Sequence, residues 1–213
     1  MPIKGARALI YYETKDYEKE CDAIERIFDN YYPKRAKNIL DIACGTGLHS
    51  MILADRNYNI AGIDSSKIMI KKAIEYNKIR KNKVNFSVQD MRGITLAGKF
   101  DCAIMFEAFC HLLTFPDVDL TLSSLKRHLN NAGLFIFDFW NASGATKLAC
   151  AFGKAHKLRY YTKAEIRQSL VRNGFDLLVV YDWKDKNKTK LESPNNTTFQ
   201  ILAVARLRGS VQN

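Results

Sequence analysis

Three apolar segments in the first half of the chain each end in an aspartate, and helical periodicity separates them. Ile39-Leu40-Asp41-Ile42 runs directly into Ala43-Cys44-Gly45-Thr46-Gly47; Asn59-Ile60-Ala61-Gly62-Ile63 ends at Asp64, and Val84-Asn85-Phe86-Ser87-Val88-Gln89 at Asp90. Strands that alternate with helices must lie parallel, each helix carrying the chain back across the sheet. Three strand-terminal acids in series are therefore expected along one edge of a parallel sheet. Gly45 and Gly47 allow a tight turn after the first strand and leave the main chain open to a ligand lying across the strand ends.

The alternation continues. A leading helix is expected over 16–31, stopped by Pro33, then strands near 37–42, 58–64 and 83–89 with helices over 47–56 and 66–80. Phe100 to Phe106 reads as a fourth buried strand, 117–130 as a helix and 133–139 as a fifth strand. A helix starts near Thr162, where Glu165 completes a capping box, and ends at Gly174. Strands over 175–183 and 198–207, joined by the Lys-rich loop 184–190, form an antiparallel pair at the sheet edge. The expected fold is α/β and doubly wound, Rossmann-like, with a seven-stranded mostly parallel sheet, one antiparallel edge strand and helices on both faces. We read 1–213 as a single domain: an N-terminal helical segment (1–36), a core (37–140), a short linker (141–161) and a C-terminal helix with the strand pair (162–213).

The chain of 213 residues has room for one core of ordinary size, and its 47% hydrophobic and 26% charged content is that of a globular protein. No apolar run approaches the roughly 20 residues that cross a bilayer, and Met1-Pro2-Ile3-Lys4 lacks the apolar core of a secretion signal. A cytoplasmic protein with no membrane partner is expected. Cys21, Cys44, Cys102, Cys110 and Cys150 form an odd set without a CxxC pair and read as reduced thiols. The four histidines are scattered, and no metal is expected. A formal charge of +11 includes the cluster Lys67, Lys71, Lys72, Lys78, Arg80, Lys81 and Lys83, read as the solvated face of a helix because no aromatic residues interleave with it.

Through these motifs the chain from about Tyr11 to Arg208 resembles a class I S-adenosylmethionine-dependent methyltransferase. Asp41 to Gly47 is similar to that family's glycine motif, Gly62-Ile63-Asp64-Ser65-Ser66 to its second motif and Gln89-Asp90-Met91-Arg92 to its third. Within the class the wording is most similar to small-molecule N- or O-methyltransferases, including those of amino sugars. Asp64, about 20 residues past the glycine turn, suits a carboxylate accepting both ribose hydroxyls, with a helix cap as its other reading. The resemblance gives Asp90 the adenine amino group, with Met91 beside the ring; a turn or cap is the alternative. Asp41 and the main chain of Ala43 and Gly45 would face the methionine ammonium, and the carboxylate can also stabilise the turn. Ser65 and Gly47 belong to the same cofactor-binding set, Phe106 walls the methionine end, and Tyr12, with Tyr11, resembles tyrosines that close over the cofactor. Ala43 stands where many members have glycine. Ser50 replaces the third glycine of GxGxxG, which weakens a nicotinamide dehydrogenase reading.

The resemblance implies methyl transfer to a small-molecule acceptor by in-line displacement, in which positioning supplies much of the acceleration. If a base takes part, Glu107 and His111, just past the fourth strand, are best placed. The chain reads Phe106-Glu107-Ala108-Phe109 where base-modifying amino methyltransferases carry [Asp/Asn]-Pro-Pro-aromatic, so nucleic acid ranks second as substrate. Relatives often insert a lid of several dozen residues after the fifth strand. Here 141–157 is shorter, leaving a pocket for a large acceptor or a second copy of the chain, as a homodimer, to cover. The alternatives are a cofactor-binding module without catalysis and an RNA or protein methyltransferase.

Overall fold

A computed structural model describes residues 15–80, 83–145, 157–183, 192–195 and 197–209. Helix α1 (Tyr17–Tyr31) precedes β1 (Asn38–Ile42), α2 (Leu48–Asp55), β2 (Asn59–Asp64), α3 (Lys67–Asn77) and β3 (Asn85–Val88). The second half adds β4 (Phe100–Met105), α4 (Phe115–His128), β5 (Leu129–Trp140), α5 (Lys163–Arg172), β6 (Phe175–Asp182) and β7 (Gln200–Leu207). The strands form one sheet in the order β3-β2-β1-β4-β5-β7-β6, parallel throughout except for β7, which runs antiparallel to both β5 and β6. The expected architecture is observed, and the antiparallel strand belongs to the edge pair with β6 outermost. Strand order reverses between β1 and β4, which opens a crevice at their carboxyl ends where such sheets take ligands.

Successive residues of a strand point to opposite faces, and the central strands are apolar on both. Leu40, Ile42, Ala103, Met105, Phe135 and Phe137 pack into one core beneath α4 and α5. Ile39, Cys102, Ile104, Leu134 and Ile136 pack into the other beneath α1 and α2. Cys21, Cys44, Cys102 and Cys110 are free thiols. Among the described residues no helix is long and apolar enough to cross a membrane.

Two boundaries shift from the sequence reading. The helix expected over 117–130 starts at Phe115, because Thr114 and Asp117 form a capping box and Pro116 is tolerated in a first turn. It ends at His128, and β5 begins at once: Leu129 pairs with Phe100, an irregularity follows with Ala132 at φ 59°, and Leu134 then pairs with Cys102.

The ring of Phe86 in β3 lies against the α-carbons of both Gly47 and Gly62, where a β-carbon would come within 2.4 Å and 2.6 Å of it. Gly62→Ala should therefore destabilise the fold by about 1 to 3 kcal/mol. In a urea-unfolding double-mutant cycle with Phe86→Ala, the two costs should couple because the smaller residue removes the clash. Strictly additive costs would contradict this packing.

Candidate functional site

The loop after β1 reaches its shape through three residues with positive φ: Ala43 at 56°, Gly45 at 57° and Gly47 at 77°. Ala43 accepts a conformation that glycine adopts at lower cost. Neighbouring strand ends hold the loop in place. The Gly45 N–H donates to Asp64 Oδ2 (2.9 Å), the Ser66 N–H to Asp64 Oδ1 (2.8 Å) and the Cys44 N–H to the Ile63 carbonyl (2.9 Å). Ser66 then caps α3 by accepting from the Met69 N–H. Asp64 thus braces the turn and its own helix junction together.

Beside this turn lies a cavity of about 610 Å³, lined by the ends of β1, β2, β3 and β4 and by the segments that follow them. Of the residues expected at the site, Asp41, Ala43, Gly45, Asp64, Ser65, Asp90, Met91, Phe106, Glu107 and His111 all line it. Gly47 does not; it is buried and serves the turn by admitting the Phe86 ring. Tyr11, Tyr12 and the linker 146–156 lie outside the described residues.

The carboxylates differ in state. Asp41 is 3% exposed and accepts the Ser50 hydroxyl at 2.5 Å. This gives Ser50, the residue that breaks the dinucleotide pattern, a role of its own. Burial pushes Asp41 up to about 6, against the opposing pull of His49 and the Ser50 hydrogen bond. Asp90 sits at the exposed rim, where its oxygens accept from the backbone N–H, Nε and Nη2 of Arg92, and Arg92 Nη1 reaches Asp117. The Arg92 side chain holds Asp90 below the ordinary carboxylate range. Its turn-capping role, the second reading of this residue, is present in the structure.

Towards the other end the structure assembles a charged cluster that the sequence reading missed. Lys15 Nζ lies 2.8 Å from Glu107 Oε1 and 3.2 Å from Glu20 Oε2, while Glu20 Oε2 lies 2.7 Å from His49 Nε2. Burial alone would pull the lysine down, but Glu107 and Glu20 reverse this and hold it above the ordinary lysine range. His49 meets the edge of Tyr17 (4.9 Å) and stacks on Phe106 (5.0 Å), which stacks on Trp183 (5.5 Å). Glu107 has φ 57° and donates its N–H to Asp138 Oδ1 at 2.5 Å, and Asp138 Oδ2 accepts from Gln200 Nε2. Asp138, an isolated acid in the apolar run of β5, is pushed up to about 6, chiefly by burial. That isolation was the available sequence signal; Lys15, Glu20 and His49 carry no comparable pattern. Burial lowers His111 below the usual histidine value, with partial opposition from Asp64.

The chain is similar to known proteins in sequence and in fold. The glycine/sarcosine N-methyltransferase of Aphanothece halophytica is 36% identical over 107 residues, 48% of this chain and 40% of that protein. The dTDP-3-amino-3,6-dideoxy-alpha-D-glucopyranose N,N-dimethyltransferase of Streptomyces fradiae is 29% identical over 127 residues, 59% of this chain and 48% of that protein. The chain spans about half the length of these curated relatives or less. A solved S-adenosylmethionine-dependent methyltransferase from Clostridium acetobutylicum shares the fold with a TM-score of 0.76 at 18% identity, covering 91% of this chain and 93% of that one. A family model described as a methyltransferase domain matches residues 12–180, and the chain belongs to that family.

Proposed function

We propose that this chain transfers a methyl group from S-adenosylmethionine to nitrogen or oxygen of a small-molecule acceptor. The observation that carries the reading is the convergence of Asp41, Asp64 and Asp90, from three neighbouring strand ends, on one cavity beside a turn with small residues at 43, 45 and 47. Family membership supports methyl transfer, and the small amine acceptors in the relatives' names support the acceptor class.

The residues fit the cofactor. The cavity volume falls within the roughly 300–1,000 Å³ of small-molecule sites. Each Asp64 oxygen accepts one backbone N–H and retains a lone pair for a ribose hydroxyl. Asp41 offers a buried carboxylate to an ammonium, and Phe106 lines the same cavity. Asp90 binds an adenine amino group only by sharing its oxygens with Arg92.

When bound, S-adenosylmethionine supplies an electrophilic methyl on a sulfonium. The chain's own task is to hold the acceptor in line, an effect worth about 7 to 11 kcal/mol in well-oriented systems. His111 offers an imidazole nitrogen for the acceptor's proton, and Glu107, fixed by Lys15 and Asp138, lines the same cavity.

Methyl transfer to a library of small amines and alcohols tests the proposal, and silence across that library despite cofactor binding would overturn it. In calorimetry with S-adenosylhomocysteine, Asp64→Ala should weaken binding by about tenfold or more, since hydrogen bonds to charged groups are worth about 1.5 to 3 kcal/mol; unchanged affinity would remove Asp64 from the site. Because Asp41 protonates near 6 in the free protein, cofactor affinity should fall as pH drops through that value. Asp41→Asn should be weak and flat over the same range, whereas an equally steep profile in this variant would place the titrating group elsewhere.

A further inference from the structure

Helix α3 and the turn after it present a mixed aliphatic and basic surface. Its inner face is ordinary: Ile70, Ala73 and Asn77 are buried, and the Asn77 side chain bonds both the N–H and the carbonyl of Val84, tying the helix to the chain that enters β3. Its outer face is not. Ile68 is 70% exposed and Ile79 88%, and Ile74 and Tyr76 are also exposed. Lys67, Lys71, Lys72 and Lys78 are exposed among them, with Glu75 as the acid on this face. Arg80 is paired with Asp55, and Lys83 bonds the carbonyls of Asn77 and Lys78, so both are already engaged in the fold.

In the sequence this cluster reads as a solvated lysine face. Solvation accounts for the lysines but gives no reason for three isoleucines in water on a single short helix and its turn. The occupant must accept aliphatic side chains and ammonium groups interleaved on a convex surface. Cores of protein interfaces are depleted of lysine, and a single-stranded nucleic acid needs aromatic platforms, of which Tyr76 is the aromatic on this face. A bilayer surface carrying anionic lipid accepts both kinds of group: isoleucines enter the boundary between headgroups and acyl chains, while lysine stems lie along it and extend their charges to the phosphates. The chain's formal charge of +11 adds longer-range attraction of the same sign.

We propose that the outer face of α3, from Ile68 to Ile79, docks the protein peripherally on a membrane surface rich in anionic lipid. This revises the expectation of no membrane partner, which rested on the lack of a spanning segment; surface docking needs none. The proposal is independent of the methyl-transfer reading, since Ile68, Lys71, Lys72 and Ile79 do not line the cavity.

The test is co-sedimentation of the full chain with sucrose-loaded vesicles, either phosphatidylcholine alone or phosphatidylcholine with about one-third phosphatidylglycerol. Retention should occur on the anionic vesicles alone. Lys71→Gln with Lys72→Gln should weaken it by about 25-fold, at roughly fivefold per lost charge. Ile68→Ser with Ile79→Ser should weaken it by about tenfold or more with every charge in place. All four positions are exposed, and circular dichroism of each variant checks that the fold persists. Absence of retention, equal retention on neutral vesicles, or retention indifferent to the isoleucines would overturn the proposal. So would single-stranded RNA that binds through these same residues and displaces the vesicles, because the face would then be a nucleic-acid site.

Discussion

The Asp64 carboxylate sets the geometry of the site. One oxygen holds the Gly45 N–H and the other the Ser66 N–H, at 2.9 and 2.8 Å, so a single side chain fixes the loop after β1 and the entry to α3. Bonds to an ionised acceptor are stronger than neutral ones, and these two act where β1 and β2 end side by side. The Asp64 carbonyl accepts the Gln89 N–H, which extends the brace to the end of β3. Three strand ends are therefore held in register before any ligand arrives. The groups left over at those ends, carboxylate lone pairs and a bare turn, suit a nucleoside carrying a cation.

Away from that brace the site concentrates buried charge. Asp41 and Asp138 lie at the carboxyl ends of β1 and β5, are nearly inaccessible, and are pushed towards neutrality by burial. Such groups persist only where partners offset the loss of water. Ser50 serves Asp41, and Gln200 with the Glu107 N–H serves Asp138. Lys15 supplies the positive charge between Glu20 and Glu107 and ties the start of α1 to the segment after β4. The positive φ of Glu107 is held by this network, which places a local backbone cost at the wall of the cavity.

Much of this was legible in the chain because it rests on short-range patterns. Apolar runs ending in Asp41, Asp64 and Asp90 located the first three strand ends, and the capping box at Thr162 located α5. The capping box at Thr114 is equally local, and it sets the start of α4 at Phe115. Other features depend on contacts across the fold. That Phe86 covers Gly47, that Ser50 serves Asp41 and that Lys15 meets Glu107 across 92 positions follow from the strand order and from no local spacing. Asp90 shows a third case: both of its readings, turn cap and ligand acceptor, use the same oxygens. The choice turns on Arg92, whose guanidinium lies against that carboxylate.

The most direct measurement is a crystal structure of the chain grown with S-adenosylhomocysteine. The nucleoside should lie across the ends of β1, β2 and β3, with ribose hydroxyls on Asp64, the amino-acid end towards Asp41, and the turn at 43–47 unmoved. A nucleoside bound away from these strand ends, or one that reaches them with Asp64 turned from the ribose, would contradict it.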